Sequence, residues 1–213
     1  MPTEKERLVR YLAELNDGKT LSSVDILLSC GVPSDELLSL LRRGMEQVNA
    51  SYVAGEYFIA DLIMANNIYR EAVRRILGRD GRFYENTIGK AVIGTVSGDI
   101  HELGKNLIAM TLRCSGFAVT DIGTDVPPEQ YVSAVMTEAP HLLILSGTIS
   151  GSEIMMARTI EAIEDAGIRS CVRIVLGGNC IDEKQAILIG ADAYSRDPID
   201  CLRLCRQLVL GDE

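Results

Sequence analysis

The sequence predicts an all-α bundle followed by a doubly wound, parallel α/β domain. Three observations carry that expectation. Leucine-rich positions recur at three- and four-residue spacing through residues 1–80, whereas short β-branched runs alternate with helical stretches from Lys90 onward. Composition divides at the same place: 13 of the 19 glycines follow residue 85, and six of the ten aromatics crowd into residues 52–84.

In the first part, Leu8, Tyr11, Leu12 and Leu15 mark one helix, and Val24, Leu27 and Leu28 a second that Ser22 or Ser23 would cap. Leu37, Leu38, Leu40, Leu41 and Met45 mark a third, opened by Pro33-Ser34-Asp35-Glu36 with its acids near the positive end of the helix dipole. A fourth runs from about Tyr57 to Leu77 and ends at Gly78. Together they predict a small four-helix bundle.

In the second part the expected strands are Ala91–Val96, Phe117–Ile122, Leu142–Leu145, Val172–Leu176 and a stub at Ala193-Tyr194. The helical patterns between and after them are Lys105–Cys114, Pro128–Glu138, Glu153–Ala166, Glu183–Ile189 and Pro198–Leu208. Near-continuous apolar strands alternating with helices imply a parallel sheet covered on both faces. The expected architecture is flavodoxin-like, a Rossmann-type five-stranded sheet in the order 2-1-3-4-5, with ligands at the carboxyl ends of the strands. The expected boundary is near residue 85, giving a helical domain over 1–85 and an α/β domain over 86–213, with Arg79-Asp80-Gly81-Arg82-Phe83 as a charged, glycine-containing hinge.

Composition narrows the function classes. At 213 residues, 47% hydrophobic and 24% charged, the chain is long enough to bury a substantial core. The interrupted runs Ala60–Ala65 and Val172–Leu176 fall far short of the ~20 residues that a membrane span needs. Met1–Arg10 is charged and has no apolar signal core, so a cytoplasmic location is expected. In that reducing setting the six cysteines are expected to be small core residues rather than bridges. Cys201 and Cys205 share a helix face, but no second pair with zinc-like spacing accompanies them. The net charge is −9, and residues 86–213 carry −7 of it, which disfavours nucleic acid as a partner.

The loop after the first expected strand reads Ser97-Gly98-Asp99-Ile100-His101-Glu102-Leu103-Gly104-Lys105-Asn106. A neutral imidazole gives one nitrogen to a metal while its other N–H donates to a carboxylate, and Asp99 stands two residues from His101 for that purpose. Gly104 lets something large and flat approach the backbone. Glu102, Lys105 and Asn106 read equally as contacts to such a ligand or as a solvated helix start. His141 precedes a strand and is expected at its amino end, away from the ligand side.

Asp99-x-His101-x-x-Gly104 resembles the DxHxxG signature of cobalamin-binding domains. Ser146 stands where their SxL motif begins, and Gly177-Gly178 where their GG motif falls. The N-terminal part, with Gly55-Glu56-Tyr57-Phe58 ahead of a long amphipathic helix, is similar to the helical cap of methionine synthase and of corrinoid proteins from O-demethylase and methylamine methyltransferase systems. Thr148 departs from the motif, which has leucine there; Ser150 follows with a hydroxyl.

The resemblance implies a cytoplasmic methyl carrier rather than an enzyme on its own. Its cofactor would be cobalamin, as methylcobalamin when loaded, bound with its own base displaced and His101 as the cobalt ligand. Asp99 and Ser146 would extend a hydrogen-bond relay behind His101. Ser146, Thr148, Ser150, Gly177, Gly178, Asn179 and Tyr194 would line the slot for the nucleotide tail, and Gly104 would face the corrin ring. Phe58, and less strongly Met64, would cover the upper face, with bundle packing as the plain alternative for both. The implied partners are a substrate-specific methyltransferase, a second methyltransferase acting on tetrahydrofolate or a thiol, and a reductive activator. An aryl methyl ether, a methylamine or methanol would be the donor, with a lean to the ether. Two other classes share the lower-face motif. A small subunit of an adenosylcobalamin mutase would not need the cap, and a cobalamin-dependent sensor would ordinarily carry an output domain.

Overall fold

The computed structural model describes residues 2–77 and 87–211. The chain divides into two compact units, Met1–Tyr84 and Glu85–Glu213. The proposed hinge at 79–83 lies outside the described residues, as does Gly78.

The first unit is helical: α1 (Glu4–Ala13), α2 (Asp17–Ser29), α3 (Ser34–Val53) and α4 (Ile59–Leu77). Thr3 opens α1 with a reciprocal capping box to Glu6. Helix α2 begins earlier than expected, because Asn16 accepts from Lys19 N–H and is the cap. Ser22 and Ser23 lie inside the helix, where the Ser23 hydroxyl donates to Glu4 at 2.5 Å. Leu8, Leu12, Leu37, Leu41 and Leu62 are fully buried and form the apolar centre that the spacing predicted. Tyr57 ties the start of α4 to the end of α1 by donating to the Ala13 carbonyl at 2.7 Å.

The second unit contains β1 (Lys90–Thr95), α5 (Leu103–Cys114), β2 (Ala118–Asp121), α6 (Pro128–Glu138) and β3 (Leu142–Ser146). It continues through α7 (Ser152–Asp165), β4 (Arg173–Gly177), α8 (Glu183–Leu188), β5 (Ala193–Ser195) and α9 (Pro198–Leu210). The strands form one sheet in the order β2-β1-β3-β4-β5, and every pair is parallel. Alternate residues feed two cores, as the strand period requires. Val92, Leu143, Leu145 and Leu176 meet Tyr131, Met156 and Ile160 on one face. Ala91, Ile93, Leu142 and Ile144 meet Ile108, Leu112, Leu202 and Cys205 on the other.

The register places Thr95, Ser146 and Gly177 in one row at the carboxyl edge, so the loops after β1, β3 and β4 start side by side. His141 lies at the opposite end, where its Nδ1 accepts from Lys90 N–H. The cysteine expectation holds for Cys114, Cys201 and Cys205, which are buried, but Cys30 and Cys171 are exposed. Among the described residues no group of three His, Cys, Asp or Glu side chains is placed to hold a metal ion, and no helix is long and apolar enough to cross a membrane.

Candidate functional site

Asp99 is the centre of the carboxyl-edge loops. It is fully buried, and its two oxygens divide their work. Oδ1 accepts from the His101 backbone N–H at 2.9 Å and lies 2.7 Å from His101 Nδ1. Oδ2 accepts from Thr148 N–H at 2.6 Å, Ile149 N–H at 3.2 Å and the Ser152 hydroxyl at 3.0 Å. Burial alone would push the Asp99 carboxyl up, but the bonds from Thr148, His101 and Ile149 outweigh it and hold the group well below the usual carboxylate range.

An ionised carboxylate only accepts, so the proton of a neutral His101 ring resides on Nδ1 and the lone pair on Nε2. Thr95 fixes the same residue from its main chain, with Oγ1 donating to the His101 carbonyl at 3.0 Å. The His101 side chain is 57% exposed. The site therefore presents one oriented imidazole nitrogen from a rigid base.

The surroundings suit a large, flat, partly apolar group. Ile100 and Leu103 flank His101 at 74% and 65% exposure, and a Cβ built on Gly104 meets nothing within 4 Å. At Gly177 a Cβ would stand 3.6 Å from Ile108 Cδ1 and from the Ser195 carbonyl oxygen, ordinary contact distances, so glycine here keeps the floor low without being required by the fold. Gly178, at φ +126°, lies so close to β3 that its Cβ would fall 1.7 Å from the Gly147 carbonyl oxygen. Tyr194 braces this loop from β5: its hydroxyl lies 2.7 Å from the Ile181 oxygen and 3.0 Å from the Gly178 oxygen, and it accepts from Arg196 Nε.

The hydroxyl bonded to Asp99 is that of Ser152 rather than Ser146. Ser146 is the last residue of β3, buried and held by strand pairing, with its carbonyl accepting from Val96 N–H. The sequence carried a signal for Ser152, since serine favours helix starts, but the expected start at Glu153 fell one residue late. The side chains of Thr148, Ser150 and Asn179 are exposed, and Thr148 joins the site through its backbone N–H. Its departure from leucine leaves that contact intact. Lys105 is not part of a solvated helix start: it is buried and paired with Asp121 and Asn106. Replacing Ser152 by alanine removes one donor from a buried carboxylate and should lower stability by about 1–2 kcal/mol, measured by urea unfolding.

In the helical unit, Phe58 and Met64 do not pack into the bundle. Phe58 is 70% exposed, its backbone N–H held by Asp61 at 2.8 Å, and Met64 is also exposed.

Such a fold and site define a cofactor-binding α/β domain with a preceding helical unit. The chain belongs to the B12 binding domain family: one family model of that description matches residues 89–202, and a second matches residues 4–77. Its cofactor is cobalamin. Dimethylamine corrinoid protein 1 of Methanosarcina mazei is 27% identical over 98% of this chain and 99% of its own length. The crystal structure of a cobalamin-binding protein from Desulfitobacterium hafniense DCB-2 superposes with a TM-score of 0.80 at 28% identity, over 98% of this chain and 100% of that one. A chain of the methanol:cobalamin methyltransferase complex of Methanosarcina barkeri has the same fold, with a TM-score of 0.87 at 21% identity over 98% of this chain and 80% of that one.

Proposed function

We propose that this protein carries a methyl group between two methyltransferases on a cobalamin whose cobalt is held from below by His101. The observation that carries the reading is the His101 ring, anchored through Nδ1 to a buried, ionised Asp99, with no hydrogen-bond partner for Nε2 among the described residues. Bound cobalamin supplies a cobalt that takes up a methyl group and gives it away. His101 would hold that cobalt through Nε2, and Asp99, itself held by Ser152, Thr148 and Ile149, keeps the imidazole in one tautomer. Gly177, Gly178, Asn179 and the Ser146 row form the floor for the nucleotide tail, with Tyr194 as its brace. In this reading the helical unit would serve as the cap, and its exposed Phe58 and Met64 would be apolar contacts to the cofactor.

The dimethylamine relative supports a methylated amine as donor, whereas no residue of this chain supports the aryl methyl ether expected from the sequence. A donor-specific methyltransferase, an acceptor methyltransferase using tetrahydrofolate or a thiol, and a reductive activator are the partners of this reading. The test is to load the chain with cobalamin, reduce it, and supply labelled dimethylamine or an aryl methyl ether together with the matching methyltransferase. Label is expected on the holoprotein with the amine and should move on when the acceptor system is added. Support of a carbon-skeleton rearrangement with adenosylcobalamin, without methyl uptake, would replace this reading with the mutase class.

A further inference from the structure

We infer that Asp125, on the loop between β2 and α6, is a positioning residue for His101. The inference rests on the reading of His101 as the cobalt ligand. Asp125 has φ +54°, in the left-handed region that few residues other than glycine adopt and that aspartate and asparagine tolerate best. In that conformation its Oδ1 accepts from Gly98 N–H at 2.7 Å and from the Ser97 hydroxyl at 3.3 Å. Its own N–H donates to the Asp99 carbonyl oxygen at 3.0 Å. One residue from a neighbouring loop thus holds three successive residues of the turn that leads into His101.

The turn has little restraint of its own. Gly98 has φ +81°, and a Cβ built on it meets nothing within 4 Å, so side-chain packing does not fix its conformation. Apart from the Asp125 bonds, the main chain here is held by Asp99 N–H donating to the Val96 carbonyl at 3.1 Å. The main-chain course by which Asp99 reaches its donors, and with it the placement of the His101 ring, therefore rests on the Asp125 acceptor as well as on the bonds to the Asp99 carboxylate. Among the described residues Asp125 makes no hydrogen bond to the His101 ring. It acts through the backbone of residues 97–99.

Two variants separate the acceptor from the backbone conformation. Asp125→Gly keeps the left-handed conformation free of strain and removes the acceptor, whereas Asp125→Asn keeps both. Each full-length protein is titrated with hydroxocobalamin, then reduced to Co(II) and examined by electron paramagnetic resonance. In Asp125→Gly the dissociation constant should rise about tenfold, the scale of lost outer-shell support, and the nitrogen splitting from His101 should be replaced in part by a signal without it. Asp125→Asn should match the wild type in both. Wild-type behaviour of Asp125→Gly would overturn the inference, and so would an Asp125→Asn protein as impaired as Asp125→Gly. A wild type lacking the nitrogen splitting would overturn the axial-histidine reading, and this inference with it.

Discussion

Replacing Asp99 by asparagine should lower the unfolding free energy by about 2–4 kcal/mol at neutral pH. The variant keeps the volume but cannot keep the bonding. One oxygen of the buried carboxylate faces the His101 N–H groups and the other faces Thr148 N–H, Ile149 N–H and the Ser152 hydroxyl. Whichever way the amide is turned, its NH2 meets donors. The size of the effect should depend on pH in a defined direction. Because the folded-state carboxyl lies below its unfolded value of about 3.9, its contribution is complete above that value and declines as pH falls toward the folded one. Urea unfolding at pH 7 and pH 3 should therefore show the gap between wild type and Asp99→Asn narrowing in acid. A gap that stays constant or widens would mean that the charge is not what the donors stabilise.

Gly178→Ala should cost about 3–5 kcal/mol, as overpacking against main chain adds to backbone strain. The new Cβ would lie 1.7 Å from the Gly147 oxygen and 2.7 Å from its carbon, both backbone atoms that cannot swing aside. The φ of +126° adds a penalty for any L side chain. Relief requires the β3 and β4 loops to part, which displaces Thr148 and Ile149 from Asp99. Gly177→Ala is the contrasting case. Its Cβ would make ordinary contacts at 3.6 Å, so folding should be nearly unchanged while cobalamin binding weakens because the floor is raised. Thermal melts of both apoproteins, followed by hydroxocobalamin titration, separate the two effects. Equal melting temperatures for Gly178→Ala and wild type would contradict the close approach.

The parts legible in the sequence are those set by local periodicity. The leucine spacing of α1 and α3, the apolar runs of β1, β3 and β4, and the order of strands and helices all follow from which positions must be apolar. The Asp99 and His101 pair was legible because it is local, two residues apart. What escaped depends on contacts between distant segments. Ser152 reaches Asp99 across 53 positions, and its place at a helix start marks it as a capping candidate without showing that its hydroxyl meets Asp99. Lys105 looks like any helix-start lysine until β2 places Asp121 against it. Asp125 gains its role only when parallel pairing sets its loop beside residues 97–99. The misplaced cap of α2 has a different cause: a run of polar residues offers several capping side chains, of which Asn16 is the one that accepts from Lys19 N–H.

The proposed role of the whole loop cluster turns on His101 as the cobalt ligand. Its most direct measurement is the electron paramagnetic resonance spectrum of the Co(II) cobalamin complex of the wild type and of His101→Ala. A splitting from one nitrogen is expected in the wild type and should disappear in His101→Ala. Identical spectra for the two proteins would contradict it.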